Sequence, residues 1–429
     1  MNFKILNKQA GQSRRIVLKS LLAAVFAGGA LIACGGGNDA PSSTAAWYAS
    51  WYAAPQMYEE PFGGVTPPPK SFKDQTLRQI MYVSAGGNKV RLRVSNRFGT
   101  APLTIDGMRV AESAGDAAIR SATDTPVLFG NQNAVTVAPG AEVLSDPVAL
   151  AVSANSSVAV SMYVKNAMPV ATVHTLGKQN NYVAAGNVVS APTLTVTESN
   201  LFYTWTTGLE VERTDKPKVI VTFGDSITDG YGSTDDTNNR YPNFLSRRLA
   251  ADASIGPVSV VNAGISGNRW KNDVVGPKGE DRFERDVLAQ PGITHVVILL
   301  GINDIGFSGA GSFMAGQTVT AEQIQQAIQA AVNKAKAKGV KALVATLTPF
   351  KGTIFPGYYS DEGEAKRQAV NSFIRSNSTL DGVIDFDLAV RNPADPASIL
   401  PAYDVGDRLH PNNAGYAAMA NAIDLAKFR

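Results

Sequence analysis

A chain of 429 residues is too long for one typical core, because roughly 100–200 residues make a domain, so two domains are expected. With 44% hydrophobic and 17% charged residues, 39 Gly and 23 Pro, the composition favours strands joined by tight turns over helical bundles. The formal charge of +3 misleads, because residues 1–33 hold five of the 39 bases (Lys4, Lys8, Arg14, Arg15, Lys19) and no acid; the remaining 34 bases face 36 acids, a net −2 without the basic stripe of a nucleic-acid binder.

The chain opens with the parts of an export signal: a basic segment, an apolar run over residues 20–33, and a small-residue junction. The run is shorter than the about 20 apolar residues that a membrane-spanning helix needs. Leu31-Ile32-Ala33-Cys34 resembles a bacterial lipobox. That resemblance implies an acylated Cys34 at the mature N-terminus and an exported lipoprotein of the cell envelope, membrane-anchored and periplasmic or surface-facing. An ordinary signal peptide that happens to contain a cysteine is the alternative. Residues 13–19 look like a twin-arginine export motif, with Val17 where Phe is usual. Cys34 is the single Cys, so no intrachain disulfide can form and stability must come from cores. Residues 34–46 are small and polar, a flexible tether.

From residue 47 to 212 the pattern is of strands. Val90, Leu92 and Val94 alternate with Arg91, Arg93 and Ser95; Val158, Val160, Met162 and Val164 alternate with Ala159, Ser161 and Tyr163. Period two, with turn signals at Gly86-Gly87, Pro139-Gly140 and Ala154-Asn155, predicts half-buried antiparallel strands in an all-β sandwich or jelly roll. After Thr214-Asp215-Lys216-Pro217, continuous apolar runs at residues 219–223, 258–261, 295–300, 340–347 and 383–386 alternate with helical segments. Ile324, Ala327, Ile328, Ala331, Val332 and Ala335 share one face of a helix that Gly339 stops. This rhythm predicts a three-layer α/β/α domain over residues 218–429, its parallel sheet covered on both faces. In such folds ligands bind at the carboxyl ends of the strands.

Those ends carry Gly224-Asp225-Ser226-Ile227-Thr228, then Asn262-Ala263-Gly264-Ile265-Ser266-Gly267-Asn268, then Gly301-Ile302-Asn303-Asp304; near the C-terminus lies Asp407-Arg408-Leu409-His410-Pro411. A serine hydroxyl is a poor nucleophile until a base takes its proton. His410 can reach Ser226 from a C-terminal loop, and Asp407 can bond the other imidazole nitrogen. Together, in this order, the four motifs resemble the SGNH (GDSL) hydrolase family over about residues 218–429. The resemblance implies a flavodoxin-like fold and a serine carboxylic ester hydrolase with an acyl-enzyme intermediate. It implies the triad Ser226, Asp407 and His410, and oxyanion donors on Ser226, Gly267 and Asn303. Gly264 rivals Gly267; the family glycine precedes Asp or Asn, as Gly267 precedes Asn268. More loosely, Trp51-Tyr52-Ala53-Ala54-Pro55 and the stretch from Leu77 to Gly99 resemble the β-domain fused ahead of SGNH domains in many bacterial secreted esterases.

Asp225 and Asp304 are expected to brace turns, and His174 and His295 to be structural. Neither HExxH, a Cys pair nor a His pair at ligand spacing occurs, so no metal is expected. GxGxxG and GxxxxGK[ST] are absent near Ser226, and so is GxSxG, which argues against nucleotide binding and the α/β-hydrolase elbow. No cofactor is implied. Residues 306–316 and 350–359 follow strands three and four and are expected to flank the cleft, where their aromatic rings can pack on an acyl chain or sugar. The expected substrate is a small-molecule or polysaccharide ester, short acyl esters of carbohydrates first. Lipid or aryl esters are the alternative, and so is a non-catalytic glycan-binding lipoprotein. Oligomeric state is not legible.

Overall fold

The computed structural model describes residues 44–58, 69–312 and 314–429. The export signal, the Cys34 lipobox and residues 34–43 of the tether lie outside the described residues. The β-rich region contains β1 (Ala46–Tyr52), β2 (Gln75–Val83), β3 (Val90–Ser95), β4 (Gly107–Gly115) and β5 (Glu142–Leu144). It continues through β6 (Ser156–Val164), β7 (Thr172–His174), β8 (Asn181–Ala185) and β9 (Thr206–Arg213). One antiparallel sheet has the order β1-β9-β3-β5, and a second carries β8-β2-β6-β4 with short strands at its margins.

On β3 the alternation holds: Val90, Leu92 and Val94 are buried, whereas Arg91 and Arg93 are half-buried and pair with Glu210 on β9. On β6 it does not. Ala159, Ser161 and Tyr163, expected to face water, are buried as well. The reason is position: β6 lies between β2 and β4, and Ala159 packs in a second cluster with Ile80, Ala111 and Ile119. The Ser161 hydroxyl accepts from buried Arg78 Nε at 2.8 Å, so its burial leaves no unmet bond.

Beyond residue 217 lie five parallel strands: β10 (Lys218–Gly224), β11 (Val258–Gly264), β12 (Ile293–Leu299), β13 (Lys341–Ala345) and β14 (Gly382–Ile384). Their order is β11-β10-β12-β13-β14, so the order reverses between β10 and β12, the crevice where open α/β sheets bind ligands. Thr320 and Gln323 form a capping box ahead of the helix Ala321–Ala337, which buries the six side chains its period selects. Gly339 follows at φ +71°, as an αL stop requires. Among the described residues no helix is long and apolar enough to cross a membrane.

An edge strand leaves backbone groups in need of partners. On β11 the β-rich region supplies one, Ser84 Oγ, which accepts from Val260 N–H at 3.0 Å; the Ser259 side chain of the same strand donates to Ala49 O at 2.6 Å. Tyr52 OH donates to Asp286 Oδ1 at 2.7 Å. One hydrophobic core runs from Trp51, Leu92 and Trp205 through Val219, Ile298 and Ile324. Each Val, Leu or Ile side chain in it contributes about 1.5–3 kcal/mol on full burial.

Candidate active site

Strand register sets the site. Gly224 of β10 lies level with Gly264 of β11 and with Leu299 of β12, so the segments that follow leave the sheet at one height. A Cβ on Gly224 would overlap Thr228 Oγ1 and the Leu299 carbonyl, so this turn closes only without a side chain. The short helix α1 (Ser226–Asp229) begins at once, capped by the Asp225 carboxylate accepting from Ile227 N–H at 3.1 Å. Buried Arg282 ties the strand ends together, donating to Gly224 O at 2.7 Å, Ala263 O at 2.8 Å and Asn268 Oδ1 at 2.9 Å.

Ser226 Oγ lies 2.8 Å from His410 Nε2, and His410 Nδ1 lies 2.6 Å from Asp407 Oδ2. Asp407 Oδ1 accepts the backbone N–H groups of Leu409 at 2.9 Å and His410 at 2.8 Å, which fixes the loop that carries both residues. Burial pushes the Asp407 carboxyl up, but the hydrogen bonds it accepts from His410 and Leu409, together with the charge that His410 carries when protonated, outweigh it and hold its pKa below the ordinary carboxylate value. An ionised carboxylate only accepts. Nδ1 of the neutral ring therefore carries the hydrogen, and the lone pair on Nε2 faces the serine.

Ser226 and His410 border a cavity that Ser266, Gly267 and Asn303 border as well. Gly267 has φ +77°, a conformation open to glycine, and a Cβ there would also press on Val275. Gly264, its rival from the sequence, does not border the cavity, and its N–H already donates to Asn262 Oδ1 at 2.8 Å. Asn303 is the second residue of the helix Ile302–Gly306; its Oδ1 accepts from Tyr358 OH at 2.7 Å and its Nδ2 donates to Asn268 O at 3.0 Å. The second Nδ2 hydrogen remains for a ligand. A serine activated by an oriented imidazole, beside fixed donors, can carry out acyl transfer.

The sequence model of the GDSL-like lipase/acylhydrolase family matches residues 222–418. Those residues form a GDSL-like acylhydrolase domain. The chain is accordingly a carboxylic ester hydrolase, with esters as its substrates. No curated protein matches it. Among solved structures, a GDSL-like lipase from Bacteroides thetaiotaomicron is similar at 21% identity over 50% of this chain and 90% of its own, with a TM-score of 0.38. An acetylxylan esterase from Geobacillus stearothermophilus is similar at 23% identity over 50% of this chain and 96% of its own, with a TM-score of 0.38.

Around the acylhydrolase site, Asp304 braces a turn by accepting from Trp270 N–H at 2.8 Å and Lys271 N–H at 3.0 Å. Burial pushes the Asp225 carboxyl up to about 7 and that of Asp304 up to about 6. His295 sits at the start of β12 against Phe428, its pKa pulled down to about 4 by burial and then by Lys341 and Lys218. Among the described residues no cluster of His, Cys, Asp or Glu is arranged to hold a metal ion. Phe307, Phe355 and Tyr358, from the two loops after β12 and β13, line the cavity. The motifs gave no sign of Tyr358 against Asn303, nor of Thr175 and Leu176, which enter the cavity from the β-rich region. One signal was available: His174, just ahead of them, is one of only three histidines.

Proposed function

We propose that the acylhydrolase domain cleaves short-chain carboxylic esters through an acyl-enzyme on Ser226. The observation that carries this reading is the 2.8 Å approach of Ser226 Oγ to His410 Nε2 at the wall of a single cavity. His410 takes the Oγ proton as Oγ bonds the carbonyl carbon, and the carbonyl electron pair moves to oxygen. Ser226 N–H, Gly267 N–H and Asn303 Nδ2 donate to that oxyanion, while Asp407 stabilises the imidazolium. Collapse expels the alcohol, which takes the proton from His410; water then repeats the cycle and releases the acid. The reading needs no cofactor.

A short acyl group is supported by the cavity, about 120 Å³, with Leu176, Val275, Phe307, Phe355 and Leu409 among its walls. An apolar cavity of about 150 Å³ accommodates benzene, so this one suits a chain of a few carbons. Esters of carbohydrates are the first candidates for the alcohol. A second reading, aryl or lipid alcohols, is favoured by Ile354 (65% exposed) and Val274 (50%), neighbours of the cavity residues Phe355 and Val275. A p-nitrophenyl ester panel run on wild type and Ser226→Ala tests the acyl side, with a steep fall beyond about four carbons expected. Acetylated xylan against naphthyl acetate tests the alcohol.

This reading includes residues 47–212 as a β-sandwich domain and residues 218–429 as a three-layer catalytic domain. It also includes export through residues 1–33 and envelope anchoring through acylated Cys34. Cys34→Ser should abolish labelling by a fatty-acid analogue; an unmodified N-terminus downstream of Cys34 would contradict the anchor.

A further inference from the structure

A side chain of the β-rich region bonds to the serine's own helix. His174, the last residue of β7, is buried; its Nδ1 lies 3.0 Å from Ala54 O and its Nε2 lies 3.0 Å from Asp229 Oδ1. A backbone carbonyl and a carboxylate both accept, so both ring nitrogens must donate and the ring is an imidazolium. This is the opposite outcome to His410, where one nitrogen faces a carboxylate and the other a hydroxyl.

Asp229 closes α1, three residues after the serine. Its Oδ2 accepts from Ser266 N–H at 3.0 Å and from Ser266 Oγ at 2.9 Å. Ser266 directly precedes Gly267, and both border the cavity. One buried carboxylate thus joins a ring from the β-rich region to the turn that presents the Gly267 N–H.

We propose that His174 is a positioning residue: as an imidazolium paired with Asp229 it holds the Ser266–Gly267 turn aimed at the oxyanion, so the β-rich region completes the active site. This rests on Gly267 being an oxyanion donor. Burial opposes the charge on His174, and Arg240 opposes it further, but Asp229 and the hydrogen bonds to Asp229 and Ala54 leave its pKa raised. The Tyr203 ring, 6.4 Å away between centroids, brings no formal charge.

His174→Leu removes both donors, whereas His174→Gln keeps one amide donor for Asp229. Misplacing a catalytic group by about 1 Å can cost 10²-fold, so His174→Leu should lower kcat about 10- to 100-fold with KM within about two-fold. His174→Gln should recover most of that loss, which a role in stability alone would not produce. In the full chain labelled with ¹⁵N-histidine, the three rings separate, the His174→Gln variant assigns the missing one, and both His174 nitrogens should be protonated at about pH 7.5. A neutral His174 ring overturns the proposal, and so does a folded His174→Leu with kcat within two-fold of wild type. If His174→Leu does not fold, near-isosteric Asp229→Asn carries the kinetic test, with the same loss expected and unchanged kcat overturning it. Asn303→Ala separates this failure from that of the oxyanion reading: a large kcat loss there with none at His174 sinks the positioning role alone.

Discussion

Tyr358 donates its hydroxyl hydrogen to Asn303 Oδ1 at 2.7 Å, while Asn303 Nδ2 donates to Asn268 O at 3.0 Å. The two bonds fix which end of the amide faces the cavity. Burial pushes the Tyr358 phenol well above its ordinary pKa, so it stays a donor throughout any assay range. Asn303→Ala should lower kcat by about 10²–10³ with KM little changed, as for loss of one oxyanion donor. Tyr358→Phe leaves the amide in place but free to turn, and should cost about ten-fold in kcat, again with KM little changed. A KM rise with kcat intact, in either variant, would make these residues ground-state binders instead.

Stability should carry the signature of Asp225. Its Oδ2 is buried without a partner, and burial, reinforced by Asp304, raises the carboxyl from 3.8 to about 7. Between those values the native state binds more protons than the unfolded one, so this group's contribution to stability falls as pH rises and levels off above about 7. Asp225→Asn removes the titration. Relative to wild type, its unfolding free energy should improve by about 3 kcal/mol between about pH 5 and pH 8, at about 1.4 kcal/mol per unit over the two units from pH 5 to the native midpoint. Parallel denaturant curves at the two pH values check this; a pH-independent difference would remove Asp225 as a buried titrating group.

Acyl length should follow the rings at the cavity wall. Phe355 stands edge-on to His410 with centroids 6.2 Å apart. Phe355→Ala should shift the peak of kcat/KM towards longer acyl chains, a methylene in an apolar pocket changing the ratio by about 10- to 200-fold. An unshifted chain-length profile would place the acyl group elsewhere.

Much of this was readable because it is local or periodic. The helix Ala321–Ala337 buries the residues its 3.6 period selects, and β10 to β13 correspond to the continuous apolar runs. Ser226, Gly267 and Asn303 stood out because motifs at successive strand ends must converge once the strands are parallel and in register, and His410 because an Asp three residues before it marks a base on a C-terminal loop. The full burial of β6 was hidden, because alternation shows one covered face and says nothing of a cover for the other. His174 with Asp229, and Tyr358 with Asn303, were hidden for another reason: each pair joins segments with no shared motif, and only the fold brings them together.

The central claim is that Ser226 carries the acyl group. Fluorophosphonate labelling of the full chain, followed by peptide mass spectrometry, reads the nucleophile directly. The adduct should sit on Ser226 alone, with labelling strongly slowed in a His410 variant. Ser226→Ala should abolish the adduct and lower kcat by several orders of magnitude. An adduct on another residue, or esterase activity unchanged in Ser226→Ala, would contradict the account.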